Sequence, residues 1–234
     1  MKKILTILKK EHKLNRNGFL QLLSLILLFT FNASKAQNRP SAYWNFDGSN
    51  NKVAIEKVSG SNDSITGYAT YVKGVQGSAL KFDGFTALVT HKSIDKPIDI
   101  TKGFSVEAWI APQEYSWNWT GIIDQEKDHK ECFSFGIDYL GRVGLMMALD
   151  GKWQGIVSDK SVTLLKWSHV AATYDPIIDQ ITVYINGQPA KQEQLTGKPT
   201  PSKANFWIGM SHTKQWPELT ERKGSQIPTP MVFD

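Results

Sequence analysis

The sequence predicts an all-β protein made of two packed antiparallel sheets. From residue 42 onward, short runs of β-branched and aromatic residues alternate with Gly, Asn, Asp and Pro, the pattern of strands joined by tight turns. At least eight such runs occur, and no convincing helical stretch interrupts them. A chain of 234 residues with 41% hydrophobic content can bury one substantial core, so we expect one domain rather than two.

Each predicted strand follows from its own run of residues. The clearest is FSVEAWI at residues 104–110, where a period of two puts Phe, Val, Ala and Ile on the core face. The other strands are expected at residues 42–46, 79–82, 132–137, 143–149, 168–174, 181–185 and 206–210. Asn186 and Gly187 tolerate positive φ and predict a two-residue type I′ hairpin turn. Four tryptophans in strand patterns are expected in the core: Trp44, Trp109, Trp167 and Trp207.

Residues 1–36 have the pattern of a secretory signal peptide rather than of the fold. Basic residues precede an uncharged apolar run of 13 residues at 19–31, and the small residues Ser34 and Ala36 stand before an expected cleavage site at Gln37. The run is shorter than the roughly 20 residues that cross a bilayer, and an uncleaved anchor is the alternative. We therefore expect an exported protein with no permanent membrane span after cleavage.

The net charge of +5 belongs to this N-terminal segment. Residues 1–36 carry seven of the 27 basic and one of the 22 acidic side chains, so the mature part has 20 basic and 21 acidic ones. A basic surface excess, which nucleic-acid binding requires, is therefore absent. The charge argues against DNA or RNA as a partner.

Six segments, in order, resemble the bacterial laminin-G-like jelly roll of the concanavalin-A-like lectin/glucanase superfamily. They are AYWNFDG (42–48), GVQGSALKFDG (74–84), FSVEAWI (104–110), FSFGIDYLGRV (133–143), WSHVAATYD (167–175) and ITVYINGQ (181–188). The resemblance implies a jelly-roll sandwich over residues 37–234 and glycan binding, often as an accessory module of a secreted glycoside hydrolase. Family members usually continue into a closing strand with an Asp-Glu-Val-like motif, whereas this sequence ends at residue 234. We therefore expect a domain without its closing strand, in the N-terminal part of a longer enzyme.

One group of carboxylates is typical of an enzyme. Asp124, Glu126 and Asp128 alternate at two-residue spacing and would share one face of a strand, as the paired carboxylates of jelly-roll glucanases do. The apolar alternation around them is weak, and charged residues follow at once. Solvated charges at a strand end are therefore favoured, and no catalytic residue is predicted.

Sugar binding requires an aromatic face for the pyranose ring and polar groups for its hydroxyls. Trp117, Asn118 and Trp119 supply that mixture in a predicted loop, and Trp153 is a secondary candidate. The alternative for this loop is plain packing.

The family resemblance also implies a structural calcium ion, with Asp47 in the segment FDG as the first ligand to name. A partner carboxylate is expected from the missing closing strand. The alternative is an Asp that shapes the turn before Gly48.

Other metal or redox chemistry is not indicated. The histidines at 91, 129, 169 and 212 do not show a zinc-like interval, and His169 is expected to be a hydrogen-bonding residue beside the core. The single cysteine, Cys132, lies in an apolar strand pattern and is expected to be a buried, inert thiol.

The sequence thus favours a secreted carbohydrate-binding module without catalysis of its own. A glycoside hydrolase, or a fragment of one, is the first alternative, and an adhesion or protein-interaction module is the second.

Overall fold

Two antiparallel sheets pack face to face, because most strands have one apolar and one polar face. The structure is a computed structural model that describes residues 40–48, 52–93, 99–116 and 118–212, together with the backbone of 231–233. Within these residues there is no α-helix. The predicted all-β jelly-roll sandwich is confirmed.

Each sheet is formed from strands distant in sequence. In spatial order, the eight-stranded sheet contains β1 (Val53–Ile55), β2 (Asn62–Thr66), β5 (Leu88–His91), β14 (Phe206–Ile208), β7 (Thr120–Asp124), β8 (Phe133–Ile137), β9 (Arg142–Leu149) and β10 (Lys152–Ser161). The seven-stranded sheet contains β13 (Gln188–Gln194), β12 (Gln180–Ile185), β11 (Ser168–Asp175), β6 (Phe104–Pro112), β15 (Met231–Phe233), β4 (Ser78–Phe82) and β3 (Ala69–Lys73). A short 3₁₀ helix, Ile100–Lys102, precedes β6.

The inner faces of the two sheets form one hydrophobic core. Its fully buried members come from both sheets: Leu80, Phe82, Ile110, Phe135, Ile137, Leu145, Met147, Leu149, Val170 and Ile181. Burial of each such side chain stabilises the fold by about 1.5–3 kcal/mol. This core holds the eight-stranded sheet as a rigid platform for the residues on its outer face.

Most predicted strands are confirmed, and one is wrong. Strand β6 shows the predicted faces, with Ile110 fully buried and Ser105 and Glu107 exposed. Residues 42–46 form no strand. Instead, Tyr43 makes irregular backbone contacts, donating its N–H to the Glu56 carboxylate and accepting from the Lys57 N–H. The Glu56 side chain thus pairs a backbone N–H of this segment that a neighbouring strand was expected to pair.

The prediction of four core tryptophans is only partly confirmed. Trp44 packs against the core, whereas Trp167 is half-buried and lies outside the core cluster. Trp109 is 38% exposed, and Trp207 lies on the outer face of its sheet between two core residues. Strand alternation sends both of these indoles away from the core, because their neighbours already occupy it.

The predicted hairpin turn is confirmed, since φ is +52° at Asn186 and +75° at Gly187, the signs that a type I′ turn requires. At the other end of the chain, the backbone of Met231–Phe233 pairs with both β4 and β6. The predicted lack of the closing strand of the family stays a prediction.

The predicted signal peptide lies outside the described residues. In the part of the chain that the structure describes, no helix has the length and apolar character of a membrane span.

Candidate functional site

A row of side chains crosses the outer face of the eight-stranded sheet. Trp207 on β14 stands between two core residues, and Ser134 on β8 does the same, so both side chains point outward. The strand register aligns Trp207 with Asp124, Asp124 with Ser134, and Ser134 with Met146. Four neighbouring strands therefore contribute one residue each to the row.

Asp124 is the centre of a hydrogen-bond network in this row. The carboxylate is fully buried; its Oδ2 accepts from Ser134 Oγ at 2.6 Å, and its Oδ1 accepts from His212 Nδ1 at 2.7 Å. The Glu126 backbone N–H donates to the same Oδ1 at 3.1 Å. The His212 ring also stacks on Trp207, with the ring centroids 3.9 Å apart. Asp124 thus ties three separate segments together.

Trp119 lies over a pair of glycines next to the row. A Cβ added to Gly136 or Gly144 would come within 2.9 Å or 3.0 Å of the indole, so these positions leave the space that the ring fills. The indole Nε1 donates to Ser134 Oγ at 2.8 Å. A continuous hydrogen-bonded chain therefore runs from Trp119 through Ser134 and Asp124 to His212.

A second aromatic pair lies nearby. Trp153 on β10 stacks against His129, with ring centroids 4.9 Å apart and an angle of 25° between the planes. The His129 backbone N–H donates to Glu126 Oε2 at 2.8 Å, which fixes the loop after β7 beside the indole. Glu126 is only 1% exposed.

These groups line one narrow cavity. Its wall contains two indoles, two carboxyl groups and two hydroxyl groups, which belong to Trp119, Trp153, Asp124, Glu126, Ser134 and Ser211. His129 and Met146 complete the wall. The cavity has room for roughly one water molecule.

Two buried polar atoms in this wall lack a hydrogen-bond partner. Among the described residues, they are Trp153 Nε1 and Ser211 Oγ, and both residues line the cavity. Buried polar groups are nearly always paired, so such atoms mark a place where another polar group is expected. The cavity therefore presents an unused indole N–H donor and an unused hydroxyl.

Two of the four predicted sugar-binding residues, Trp119 and Trp153, meet at this cavity although they are distant in sequence. Asn118 is 4% exposed, and its Oδ1 accepts from the Trp119 N–H at 2.8 Å, so its amide braces the neighbouring residue. Trp117 lies outside the described residues. Ligand contact by all four residues stays a prediction.

The interpretation of Asp124 and Glu126 as solvated charges is wrong. Both are buried against the outer face of the sheet. The expected shared strand face is also wrong, because β7 ends at Asp124, and Asp128 is exposed with φ of +53°. The loop after β7 folds back and brings Glu126, but not Asp128, to the cavity.

Sequence reasoning missed His129, Ser134, Ser211 and His212 as parts of the site. Only Ser134 left a signal, as the polar residue in the apolar segment FSFG. The others reach the site through loops, for which residue spacing holds no information.

Asp47, the predicted calcium ligand, lies in an exposed turn. Its Oδ1 accepts from the Ser78 N–H at 2.9 Å and its Oδ2 from Asn45 Nδ2 at 2.8 Å. Calcium takes six to eight oxygen ligands. Within the described residues, no group of three acidic, histidine or cysteine side chains could hold a metal ion. Calcium at Asp47 stays a prediction.

Other titratable groups have structural partners. His91 Nδ1 lies 3.0 Å from the buried Asp63 carboxylate, and this hydrogen bond raises the pKa of His91. His169 Nε2 lies 3.4 Å from Glu107 Oε2 on the outer face of the seven-stranded sheet. Cys132 is buried, as predicted, and this burial raises the pKa of its thiol to about 12; the inertness of the thiol stays a prediction.

The fold and the cavity together define an antiparallel β-sandwich whose outer face combines aromatic and carboxyl groups. Residues 83–220 match the laminin G family described as the concanavalin A-like lectin/glucanases superfamily, and the chain belongs to this family. No curated protein matches the chain.

Several solved structures are similar in fold. Domain 4 of AbnA, a GH43 extracellular arabinanase from Geobacillus stearothermophilus in complex with arabinotriose, is 16% identical, with a TM-score of 0.54 over 82% of this chain and 93% of that chain. Botulinum neurotoxin type C, described as depending for cell entry on two ganglioside molecules, is 17% identical, with a TM-score of 0.54 over 77% of this chain. The receptor binding domain of botulinum neurotoxin type G is 15% identical, with a TM-score of 0.55. The match covers 43% of the type C chain and 44% of the type G chain.

Proposed function

We propose that this protein is an exported carbohydrate-binding module, without catalysis of its own, that is accessory to polysaccharide degradation. The observation that carries the proposal is the cavity on the eight-stranded sheet. There, two indoles lie beside carboxyl and hydroxyl groups, the side-chain types that sugar-binding sites combine.

The fold relatives support the same function. Domain 4 of the arabinanase binds arabinotriose and belongs to an extracellular polysaccharide-degrading enzyme, and the type C neurotoxin interacts with gangliosides. We also propose a downstream catalytic domain as partner. The arabinanase supports a link to an enzyme, because its domain 4 is one domain of an enzyme. The signal-peptide pattern of residues 1–36 supports export.

A glycan-array screen of the purified protein, with turnover assays on every glycan that binds, tests this function. We expect binding without turnover. Trp153→Ala should weaken binding by at least about tenfold, as removal of a central aromatic contact does. Trp109→Ala is the matched control, because Trp109 is partly exposed on the opposite sheet. Equal loss in both variants, or no glycan binding by the wild type, contradicts the proposal.

Calcium is the proposed structural ion, and melting curves measured with and without a chelator test it. We propose Asp47 as one ligand, with a partner carboxylate from outside the described residues. The expected result is a lower melting temperature in chelator and the loss of this difference in Asp47→Ala. An Asp47 that only shapes its turn predicts the same chelator response, or none, in both proteins.

The second candidate function is glycoside hydrolysis. It is favoured by the burial of Asp124 and Glu126 in the wall of one cavity, because glycosidases use a pair of carboxyl groups. Turnover that is present in the wild type and lost in Glu126→Gln would establish this activity. Binding that persists in Glu126→Gln, without any turnover in the wild type, supports the module.

A further inference from the structure

We infer that the cavity accepts a single hydroxyl group of a neutral sugar and excludes sugars that carry sulfate or carboxylate groups there. The inference rests on the proposed carbohydrate-binding function and specifies its ligand class. It is carried by the size of the cavity, its two unpaired polar atoms and the charge of its wall.

The size of the cavity limits what enters it. Space for roughly one water molecule admits one hydroxyl oxygen, while a pyranose ring remains outside. Sulfate and carboxylate groups each have at least three heavy atoms and do not fit. The cavity therefore binds one hydroxyl group of a sugar whose ring lies at the mouth of the cavity.

The hydrogen-bonding groups match a hydroxyl. Trp153 Nε1 is a donor only, whereas Ser211 Oγ both donates and accepts. A sugar hydroxyl does both as well, so it can accept from the indole N–H and donate to Ser211. A hydroxyl group in the cavity therefore has the donor and acceptor character that these two atoms require.

The charge of the wall opposes an anion. Asp124 and Glu126 are buried in it, and among the described residues no lysine or arginine side chain lines the cavity. Two imidazoles lie close to this wall: His212 contacts Asp124, and the His129 ring stacks on Trp153. An anionic substituent would lie next to the two buried carboxyl groups of the wall, and like charges placed side by side disfavour binding.

Matched ligand pairs test the inference. Affinities are measured by calorimetry for lactose against sialyllactose, and for galactotriose against trigalacturonate, together with any neutral array ligand and its sulfated derivative. We expect the neutral member of each bound pair to bind at least about tenfold tighter. Equal or tighter binding of the anionic member overturns the inference but leaves the proposed function standing. Binding of no glycan at all overturns both.

Two variants identify the groups responsible. Glu126→Gln keeps the shape of the side chain and removes one carboxylate. It should lower the ratio of the affinities for the neutral and the anionic ligand by about tenfold. The control Glu107→Gln, on the opposite sheet, should leave this ratio unchanged. Trp153→Phe keeps an aromatic ring but removes the indole N–H, and it should weaken neutral-sugar binding by about tenfold, with Trp109→Phe as control. Melting curves establish that each variant is folded. Folded variants that bind and discriminate like the wild type refute the inference.

Discussion

The hydrogen-bond network around Asp124 leads to a measurable loss of stability in Asp124→Asn. The carboxylate is fully buried and accepts from Ser134 at 2.6 Å and from His212 at 2.7 Å. An Asn side chain has the same shape, but its amide nitrogen can only donate. The substitution therefore removes the charged acceptor from the hydrogen bonds to residue 124 and replaces one acceptor oxygen by a donor.

The expected cost follows from the chemistry of the lost bond. A buried hydrogen bond to a charged group contributes about 1.5–3 kcal/mol, compared with about 0.5–1.5 kcal/mol for a bond between neutral groups, and two such side-chain bonds to Asp124 are weakened together. We expect the free energy of unfolding to fall by about 2–3 kcal/mol, which lowers the melting temperature of a domain of this size by about 5–10 °C. Urea unfolding gives the first quantity, and a thermal melt gives the second.

Asp128→Asn is the matched control, because Asp128 is exposed and tolerates the same change at positive φ. It should alter stability by less than about 0.5 kcal/mol. Ser134→Ala should cost less in the Asp124→Asn background than in the wild type, since the two side chains share one bond. An Asp124→Asn protein as stable as the control would refute the network as described.

Three further predictions concern residues away from the cavity. The hydrogen bond that His91 donates to Asp63 raises the pKa of His91, so the pair contributes its full stability below about pH 6.5 and loses it as the pH rises through the raised pKa. His91→Gln should flatten this part of the curve of melting temperature against pH. Cys132, whose pKa is about 12, should resist iodoacetamide in the folded protein and react after unfolding, as mass spectrometry would report. Gly187→Ala meets no atom within 4 Å, so its cost of about 1 kcal/mol in urea unfolding should come from the positive φ alone, and no loss would contradict that reasoning.

The sequence predicted the fold because strand alternation and turn chemistry are local properties. The faces of β6 and the hairpin turn at Asn186 and Gly187 both follow from neighbouring residues, and both are confirmed. The strand expected at residues 42–46 failed, since its alternation was satisfied by contacts with Glu56 and Lys57 rather than by a sheet neighbour. A local pattern does not reveal which partner a backbone will find.

The sequence also named several residues of the candidate site, but not their arrangement. Residue type and a predicted loop point to Trp119, and Trp153 is a secondary candidate, whereas the charged residues around Asp124 and Glu126 wrongly predict that both are solvated. Asp124 is contacted by Ser134 and His212, which approach from other segments of the chain.

What the sequence by itself determined was therefore the all-β architecture, most of the strands and the residue types available for sugar binding. Only the tertiary structure decided that Asp124 is buried at the centre of a network and that His212, 88 residues away in sequence, contacts it. The physical reason is that strand pairing in the sandwich joins β14 to β7 and β7 to β8. Long-range pairing thus places a carboxylate, a hydroxyl and two indoles around one cavity, and no spacing along the chain encodes that arrangement.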